Sequence, residues 1–359
     1  MAAAQRQRCG VGDFARRLAA AYPPDVEVTW VRYPERDAGP AWRRAAAATE
    51  GSDVVHVHYE YGLFGTVKPF RNRFAAFLRA LSAPAVVTLH GPLPALEPRW
   101  AAGRRRAADV LRDLAYLPYF RRWERINRRG VAHWITHSRG LSERLVAAVG
   151  GDRVTWLAHP VPDVRRTWEP GEARSRVMVT PGFVKPHKGY RELAWALAED
   201  TTWSWVIAGG VQDRQDAEHL KTLRRELAER GLEDRVRITG YLEADEMETT
   251  ICGAAVAVFP YAEVNASGAL AWAIGCGVPV VATDLPEFRW LRARGAGLEL
   301  LPCDAPERWP EVLDRLQGEP GRLAELARRN RDYAAANSVR SCARAHLEIF
   351  ARVVGEVRS

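Results

Sequence analysis

Short runs of apolar, β-branched residues alternate with amphipathic stretches along the whole chain. Val26–Arg32 (VEVTWVR), Asp53–His58 (DVVHVH), Ala85–Leu89 (AVVTL), Val131–Thr136 (VAHWIT) and Val154–Leu157 have the length and content of strands. Between them, helical periodicity covers Ala75–Leu81 and Leu141–Val149. At the start, Arg8–Tyr22 (RCGVGDFARRLAAAY) reads as a glycine-rich turn running into a helix whose apolar face carries Phe14, Leu18 and Tyr22. A mononucleotide-binding half places a strand of about five residues before such a turn. Only Met1–Ala4 are available, so either that strand is very short or the start of this sequence lacks it.

The pattern lapses at His159–Ala173, which holds three prolines and no periodicity and reads as an interdomain linker. It then resumes: strand Arg176–Thr180, loop Gly182–Gly189, helix Tyr190–Glu199, strand Trp203–Ala208 ending in Gly209-Gly210, helix Ala217–Arg230 and strand Arg235–Thr239. A loop at Gly240-Tyr241 precedes a helix around Asp245–Cys252, and helices over Trp309–Gln317, Arg322–Ala336 and Val339–Val354 close the chain. Alternating strands and helices predict two α/β halves with parallel sheets. The expected divisions are 1–160, 161–337 and a last helical segment over 338–359.

The stretch around which the rest of the chain is arranged runs from Val258 to Phe288. Ala254–Phe259 is a buried apolar run that Pro260 stops, Ala266-Ser267-Gly268 opens a short helix, Gly275-Cys276-Gly277 ends it, and Val278–Thr283 is a second β-branched run. This is a βαβ unit. Ligands of parallel sheets sit beyond the carboxyl ends of the strands, where Ser267 and Gly268 stand at a helix start. Unpaired N–H groups and side chains this small let a phosphate approach the backbone; the other reading is an ordinary Ser-capped helix.

Charge adds a second lead. The net charge is +8, and between Arg99 and Arg129 ten arginines face three acids. Arg104, Arg105, Arg106, Arg121, Arg122, Arg125, Arg128 and Arg129 flank Tyr116, Tyr119, Phe120 and Trp123, so the segment is either a solvated face or an interfacial surface for an anionic acceptor or a membrane. No nucleic-acid motif accompanies it. Five cysteines without a C-x-x-C spacing point to a reducing cytosol and to packing roles, and the first residues lack the apolar core of a signal peptide.

Candidate chemistry lies at strand ends. Lys185 and Lys188 occupy the strand-to-helix loop Gly182–Gly189, on the same side as Ser267, where point charges would neutralise a leaving diphosphate without a metal. In the first half, Gly10 and Gly12 mark the glycine-rich loop and His90 ends a strand. His56, His58 and Glu60 share one face of an extended segment, which imitates a metal site. No further ligand cluster accompanies them, and Tyr59 and Tyr61 suggest a packed acceptor wall instead, so no metal is expected.

The order CGVGDF, DVVHVHYEYGLFG, VVTLHG, ITHS, GFVKPHKGY, WVIAGG, ITGYLEADEM and NASGALAWAIGCGVPVVATDLPEF resembles the retaining family-4 glycosyltransferases of the GT-B fold, in the branch with an S-G-x-L helix start. The resemblance implies two facing Rossmann-like domains with parallel sheets, the C-terminal helices packing back toward the first domain. It implies a nucleotide-sugar donor held mostly by the second domain and an acceptor by the first. Lys188 then matches the diphosphate-binding lysine, with Lys185 as candidate for its missing basic partner. Gly268 and Ala269, beside Ser267, match backbone groups that meet sugar and phosphates. Gly12, with Gly10, matches the loop over the diphosphate, and His90 the residue near the transferred sugar. Gly240-Tyr241 matches the loop that touches the base, and Gly209 ends a strand on the donor side.

The sequence departs from the family at its paired glutamates, where Val264 and Trp272 stand. Glu263 could replace the first by a shift of one residue. An indole can only donate, so Trp272 cannot accept from a ribose hydroxyl; it either donates to the ribose, packs against the sugar or fills core.

The function expected is a metal-independent, retaining glycosyltransferase without a cofactor, with His90, Lys185, Lys188 and Glu263 nearest the chemistry. His58, Glu60 and Tyr61 are assigned to the acceptor side. The acceptor expected is a small molecule or a lipid-linked one. The location is cytoplasmic, with peripheral contact at the inner membrane face if the basic segment meets lipid. The alternative is a non-catalytic GT-B protein that binds a nucleotide-sugar or regulates a partner enzyme.

Overall fold

The computed structural model describes residues 2–4, 10–33, 39–60, 74–91, 130–169, 176–199, 202–212 and 214–358. Tyr61, Cys9 and the arginine-rich segment 99–129 lie outside them. The chain divides into two compact units, Met1–Ala158 with Arg340–Ser359, and His159–Val339.

The first unit is a six-stranded parallel sheet in the order β2-β1-β3-β4-β5-β6. Its strands are β1 (Ala2–Ala4), β2 (Val31–Tyr33), β3 (Val55–Tyr59), β4 (Ala85–Leu89), β5 (His133–Thr136) and β6 (Val154–Trp156). The first strand is thus present and three residues long, paired with β2 and, at Ala2 and Val57, with β3. Alternation over Val26–Arg32 predicts a longer β2 than forms: only its last residues pair, since β1 offers three partners. The helices are α1 (Gly10–Ala20), α2 (Gly39–Ala47), α3 (Phe74–Arg79) and α4 (Arg139–Val149). Helix α4 starts at Ser138, whose hydroxyl accepts from the Leu141 N–H at 3.3 Å. Helix α2 has no counterpart among the expected elements; its face is mostly alanine, which carries a weak apolar signal.

The second unit has the order β12-β11-β10-β7-β8-β9, all parallel. Its strands are β7 (Val177–Pro181), β8 (Ser204–Ala208), β9 (Val236–Ile238), β10 (Val256–Phe259), β11 (Val280–Thr283) and β12 (Leu298–Leu301). Helices α5 (Tyr190–Glu199), α6 (Arg214–Glu229), α7 (Ala244–Cys252), α8 (Gly268–Gly275), α9 (Pro286–Ala293), α10 (Trp309–Gly318) and α11 (Pro320–Ala336) cover it. Its core is dense in large side chains, with Trp168, Trp203, Trp205, Trp309, Tyr190 and Phe259 fully buried. Burying each such group contributes roughly 2–3 kcal/mol. The last helix, α12 (Val339–Arg358), belongs to the first unit from Arg340 on, where Ile349, Phe350 and Val353 pack with Val86 and Ile135.

The stretch expected to be a linker is fastened to the second unit instead. Val161 bridges to Ser338, and Trp168 is buried with its indole N–H donating to the Ala254 carbonyl at 3.0 Å. The buried Glu248 accepts from the backbone N–H groups of Arg165 (2.8 Å) and Arg166 (3.2 Å). Prolines break periodicity without freeing a chain, which is why this strap reads as a linker in sequence. Of the cysteines expected to pack, Cys303 is exposed, because it lies just past β12.

Candidate active site

In the second unit the strand order reverses between β7 and β10, and ligands of open parallel sheets bind outside the carboxyl ends of the strands at such a point. The loop after β7 carries both lysines; the loop after β10 leads into α8. Two close approaches tie these loops together. A β-carbon on Gly189, whose φ is +66°, would lie 1.7 Å from the Pro260 carbonyl oxygen, and the Ala262 N–H donates to the His187 carbonyl at 2.9 Å. A further approach sets the back of the site: a β-carbon on Gly209 would meet the Gly182 carbonyl oxygen at 2.0 Å. Only glycine fits there.

Lys188 ends the short 3₁₀ turn Pro186–Lys188 and is buried. Its ammonium donates to the Pro181 carbonyl at 3.3 Å and lies 5.3 Å from the centre of the Tyr261 ring. It also lines the space over Gly182: a β-carbon there would be 2.9 Å from Nζ and 3.0 Å from Cβ of Ala269. Lys188 is therefore next to the first turn of α8. Burial, then repulsion from Lys185, lowers its pKa to about 7, with Asp216 opposing. Lys185 pairs with Asp216 at 2.6 Å, and the buried Asp216 carboxylate also accepts from the Gln212 N–H at 3.1 Å.

Helix α8 opens at Ser267, whose hydroxyl accepts from the Leu270 N–H at 3.1 Å. The hydroxyl oxygen caps the helix while its O–H stays available to donate, so the anion-binding capacity of this end rests on that O–H, the leading backbone N–H groups and the helix dipole. His159 packs against it, with Cε1 and Nε2 at 3.7 and 3.8 Å from where a Gly268 β-carbon would be. Burial lowers the His159 pKa to about 4, so it is neutral at physiological pH. Sequence reasoning passed over both Asp216 and His159. Trp272 is half-buried and packs against the unit's core. Glu263 is exposed; near it, burial and then the Lys188 charge lower the His187 pKa, which the Glu263 charge partly opposes. The backbone at Tyr241 runs close to Gly210, whose added β-carbon would be 3.0 Å from the Tyr241 nitrogen, and Gly240 has φ +78° with open space around it.

In the first unit, Gly10 and Gly12 form the first turn of α1 rather than a loop. Glycine early in a helix looks like a turn in sequence, yet here Gly12 is buried and helical. His90 follows β4 and is half-buried, its backbone N–H donating to the Tyr59 carbonyl at 2.9 Å. His58 on β3 is fully buried, and its Nδ1 is 3.0 Å from Nε2 of His90. Glu60 is exposed and 3.6 Å from where a Gly91 β-carbon would be. Tyr59 points the other way: it is fully buried, 4.5 Å from Phe74 between ring centres, and is core rather than acceptor wall. Strand alternation puts it on the opposite face from His56 and His58. Among the described residues, no group of three or more His, Cys, Asp and Glu side chains is arranged to hold a metal ion.

The geometry thus defines two Rossmann-like parallel α/β units, the second with a lysine and a helix N-terminus converging at its switch point. Residues 174–317 match the family model described as Glycosyl transferases group 1. The whole chain is similar in structure to Anabaena HepE in complex with UDP and glucose, at a TM-score of 0.71 and 15% identity over 98% of both chains. It is equally similar to sucrose-phosphate synthase from Thermosynechococcus elongatus, with a TM-score of 0.71 and 15% identity over 96% of this chain and 93% of that one. A GDP-mannose:cellobiosyl-diphosphopolyprenol alpha-mannosyltransferase of Xanthomonas oryzae is 23% identical over 248 residues, 67% of this chain and 58% of the relative. Its counterpart in Xanthomonas campestris is 24% identical over 60% of this chain and 51% of its own. The chain therefore spans little more than half the length of these curated relatives. It has the GT-B fold, and the family match lies within its second unit. Among the described residues, no helix is long and apolar enough to cross a membrane.

Proposed function

We propose that the protein transfers a sugar from a nucleoside-diphosphate donor to an acceptor hydroxyl with retention of anomeric configuration. The observation that carries this reading is the Lys188 ammonium, buried beside Gly182 and the first turn of α8. An amine with a pKa of about 7 in the free protein gains its proton fully when a diphosphate arrives. As the bond from the anomeric carbon to the phosphate oxygen breaks, Lys188, its neighbour Lys185 and the α8 N-terminus stabilise the charge that grows on the leaving group. The acceptor oxygen bonds to that carbon on the face the diphosphate leaves, and the departing phosphate oxygen takes its proton. This route needs no metal or other cofactor. His90 contacts the transferred sugar, Ser267, Gly268 and Ala269 the phosphates, and Gly240 and Tyr241 the base.

The relatives whose names specify a diphosphopolyprenol-linked acceptor support a lipid-linked acceptor here too. That reading gives the arginine-rich segment 99–129 an anionic partner at the inner face of a membrane, with the rest of the protein cytoplasmic. The experiment is a thermal-shift screen of UDP-, GDP- and dTDP-sugars, followed by hydrolysis of the best donor without acceptor. A donor at about 100 times its dissociation constant adds about 2.7 kcal/mol of stability. Binding with hydrolysis supports a transferase. Binding without hydrolysis or transfer favours the second reading, a non-catalytic nucleotide-sugar binder, which Val264 and Trp272 at the paired-glutamate positions support. No binding to any donor overturns both.

A further inference from the structure

Five histidines of the first unit, His56, His58, His90, His137 and His346, form one cluster beneath α1. Phe14 of that helix is 5.4, 5.0 and 4.9 Å from the ring centres of His58, His90 and His137. Four of the five are buried almost completely. Burial lowers the pKa of His56, His58 and His346, so these imidazoles are neutral and share their protons through hydrogen bonds, which fix the tautomers in turn.

The order is legible from one end. Nδ1 of His346 is 2.8 Å from the Cys342 carbonyl, which only accepts, so His346 carries its proton on Nδ1. Its Nε2 is then an acceptor, reached at 3.4 Å by the Thr88 hydroxyl, which must donate. Having donated, Thr88 accepts, and the partner at 2.8 Å is Nε2 of His56, which therefore bears the proton. The remaining nitrogen of His56, Nδ1, is buried without a partner and is a bare lone pair. This agrees with a general preference: an orphaned buried N–H is much rarer than an under-used acceptor.

His58 repeats the situation. Its Nε2 is buried without a partner and its Nδ1 meets Nε2 of His90 at 3.0 Å. If His58 accepted from His90, its own proton would be on the orphaned Nε2. If it donates, the orphan is again a bare lone pair. We propose that His58 is a positioning residue that donates from Nδ1 to His90 and so holds His90 as the neutral Nδ1–H tautomer, a hydrogen-bond donor facing the transferred sugar. The inference rests on the placement of His90 beside that sugar. A donor imidazole can bond a sugar hydroxyl oxygen without adding a full positive charge next to a carbon that itself becomes positive in the transition state.

The test reads tautomers directly, by long-range ¹H–¹⁵N correlation of the imidazoles in the ¹⁵N-labelled full chain, with His90 assigned from a His90→Gln spectrum. The expected wild-type pattern for His90 is a protonated Nδ1 and an unprotonated Nε2. In His58→Leu the His90 pattern should change to Nε2–H or a mixture. Turnover should then fall about 10-fold or more with KM little altered, and His58→Asn, which restores an N–H near the position of Nδ1, should recover both. A wild-type His90 protonated on Nε2, or a His90 signal unmoved in a folded His58→Leu protein, overturns the proposal, and the wild-type spectrum suffices if that variant does not fold. The expected tautomer in a protein that transfers no sugar would leave the relay standing and overturn the functional reading instead.

Discussion

Lys185 and Asp216 meet at 2.6 Å, and the carboxylate of the pair is buried while the ammonium keeps about a quarter of its exposure. Asp216 offsets a second cation next to Lys188, whose pKa it raises against the effects of burial and of Lys185. The pair therefore tunes Lys188 rather than simply adding charge for a ligand. Lys188 is near its midpoint at neutral pH in the free protein and is charged when a diphosphate is bound. Binding should take up a proton, and affinity for a nucleoside diphosphate should fall roughly 10-fold per unit as pH rises from 7 toward the higher pKa of the complex. In Asp216→Asn the fall should begin at lower pH. Calorimetric titration between pH 6.5 and 9 in buffers of different ionisation enthalpy measures both. An affinity independent of pH would mean that Lys188 does not meet the phosphates.

Lys188→Met tests the same group in turnover. The ammonium is to act mainly on charge that appears as the diphosphate leaves, so kcat should drop about 100- to 1,000-fold, the range seen for loss of one preorganised donor. Stability should hold or rise slightly, because methionine removes a buried charge that is costly in the unliganded fold. Steady-state kinetics and a melting curve are the measurements; unchanged turnover with the best donor would sink the proposed site.

Gly209→Ala should damage the site without touching any ligand. The new β-carbon would overlap the Gly182 carbonyl oxygen, so the chain at Gly182, which has φ +94°, must move together with the Lys188 that covers it. The expected result is a loss of nucleotide binding larger than Gly10→Ala gives, since a β-carbon on Gly10 meets nothing within 4 Å. Paired titrations of the two variants with the same nucleotide decide it, and equal affinities would contradict the geometry.

What the sequence revealed and what it concealed have physical causes. The βαβ unit from β10 to β11 was legible because a parallel strand buried on both faces must be a continuous apolar run. Lys188 and Ser267 were legible because the switch point sits at strand ends, and strand ends can be counted. Asp216 was not, since an acid in the first turn of a polar helix looks like any solvated helix start, and only the fold buries it. His159 hid in a proline-bearing stretch that packs as a strap. The histidine cluster was closed to sequence reasoning because Thr88 and His346 are 258 residues apart, brought together by α12 packing on the first unit.

The cluster also makes the first unit acid-sensitive. Burial, then the positive charges its neighbours would carry, lowers the pKa of His56 and His58 well below the ordinary histidine value. Burial alone lowers His346 to about 4, and burial with nearby arginine charge takes His133 to about 4. In the unfolded chain each would bind a proton at about 6.5. The sign follows: the unfolded state takes up protons first, so stability is full above pH 6.5 and falls as pH drops toward the folded values. His346 by itself accounts for about 3 kcal/mol at most by pH 4. Native carboxylates contribute at lower pH, so the window between 6.5 and 5 isolates the histidines. Hydrogen exchange followed peptide by peptide should show protection over β3, β4 and α12 falling across that window more than protection over β10 and β11. His346→Leu, which keeps the site apolar and cannot charge, should flatten the slope. A slope unchanged in that variant would mean that the cluster is not what destabilises the unit.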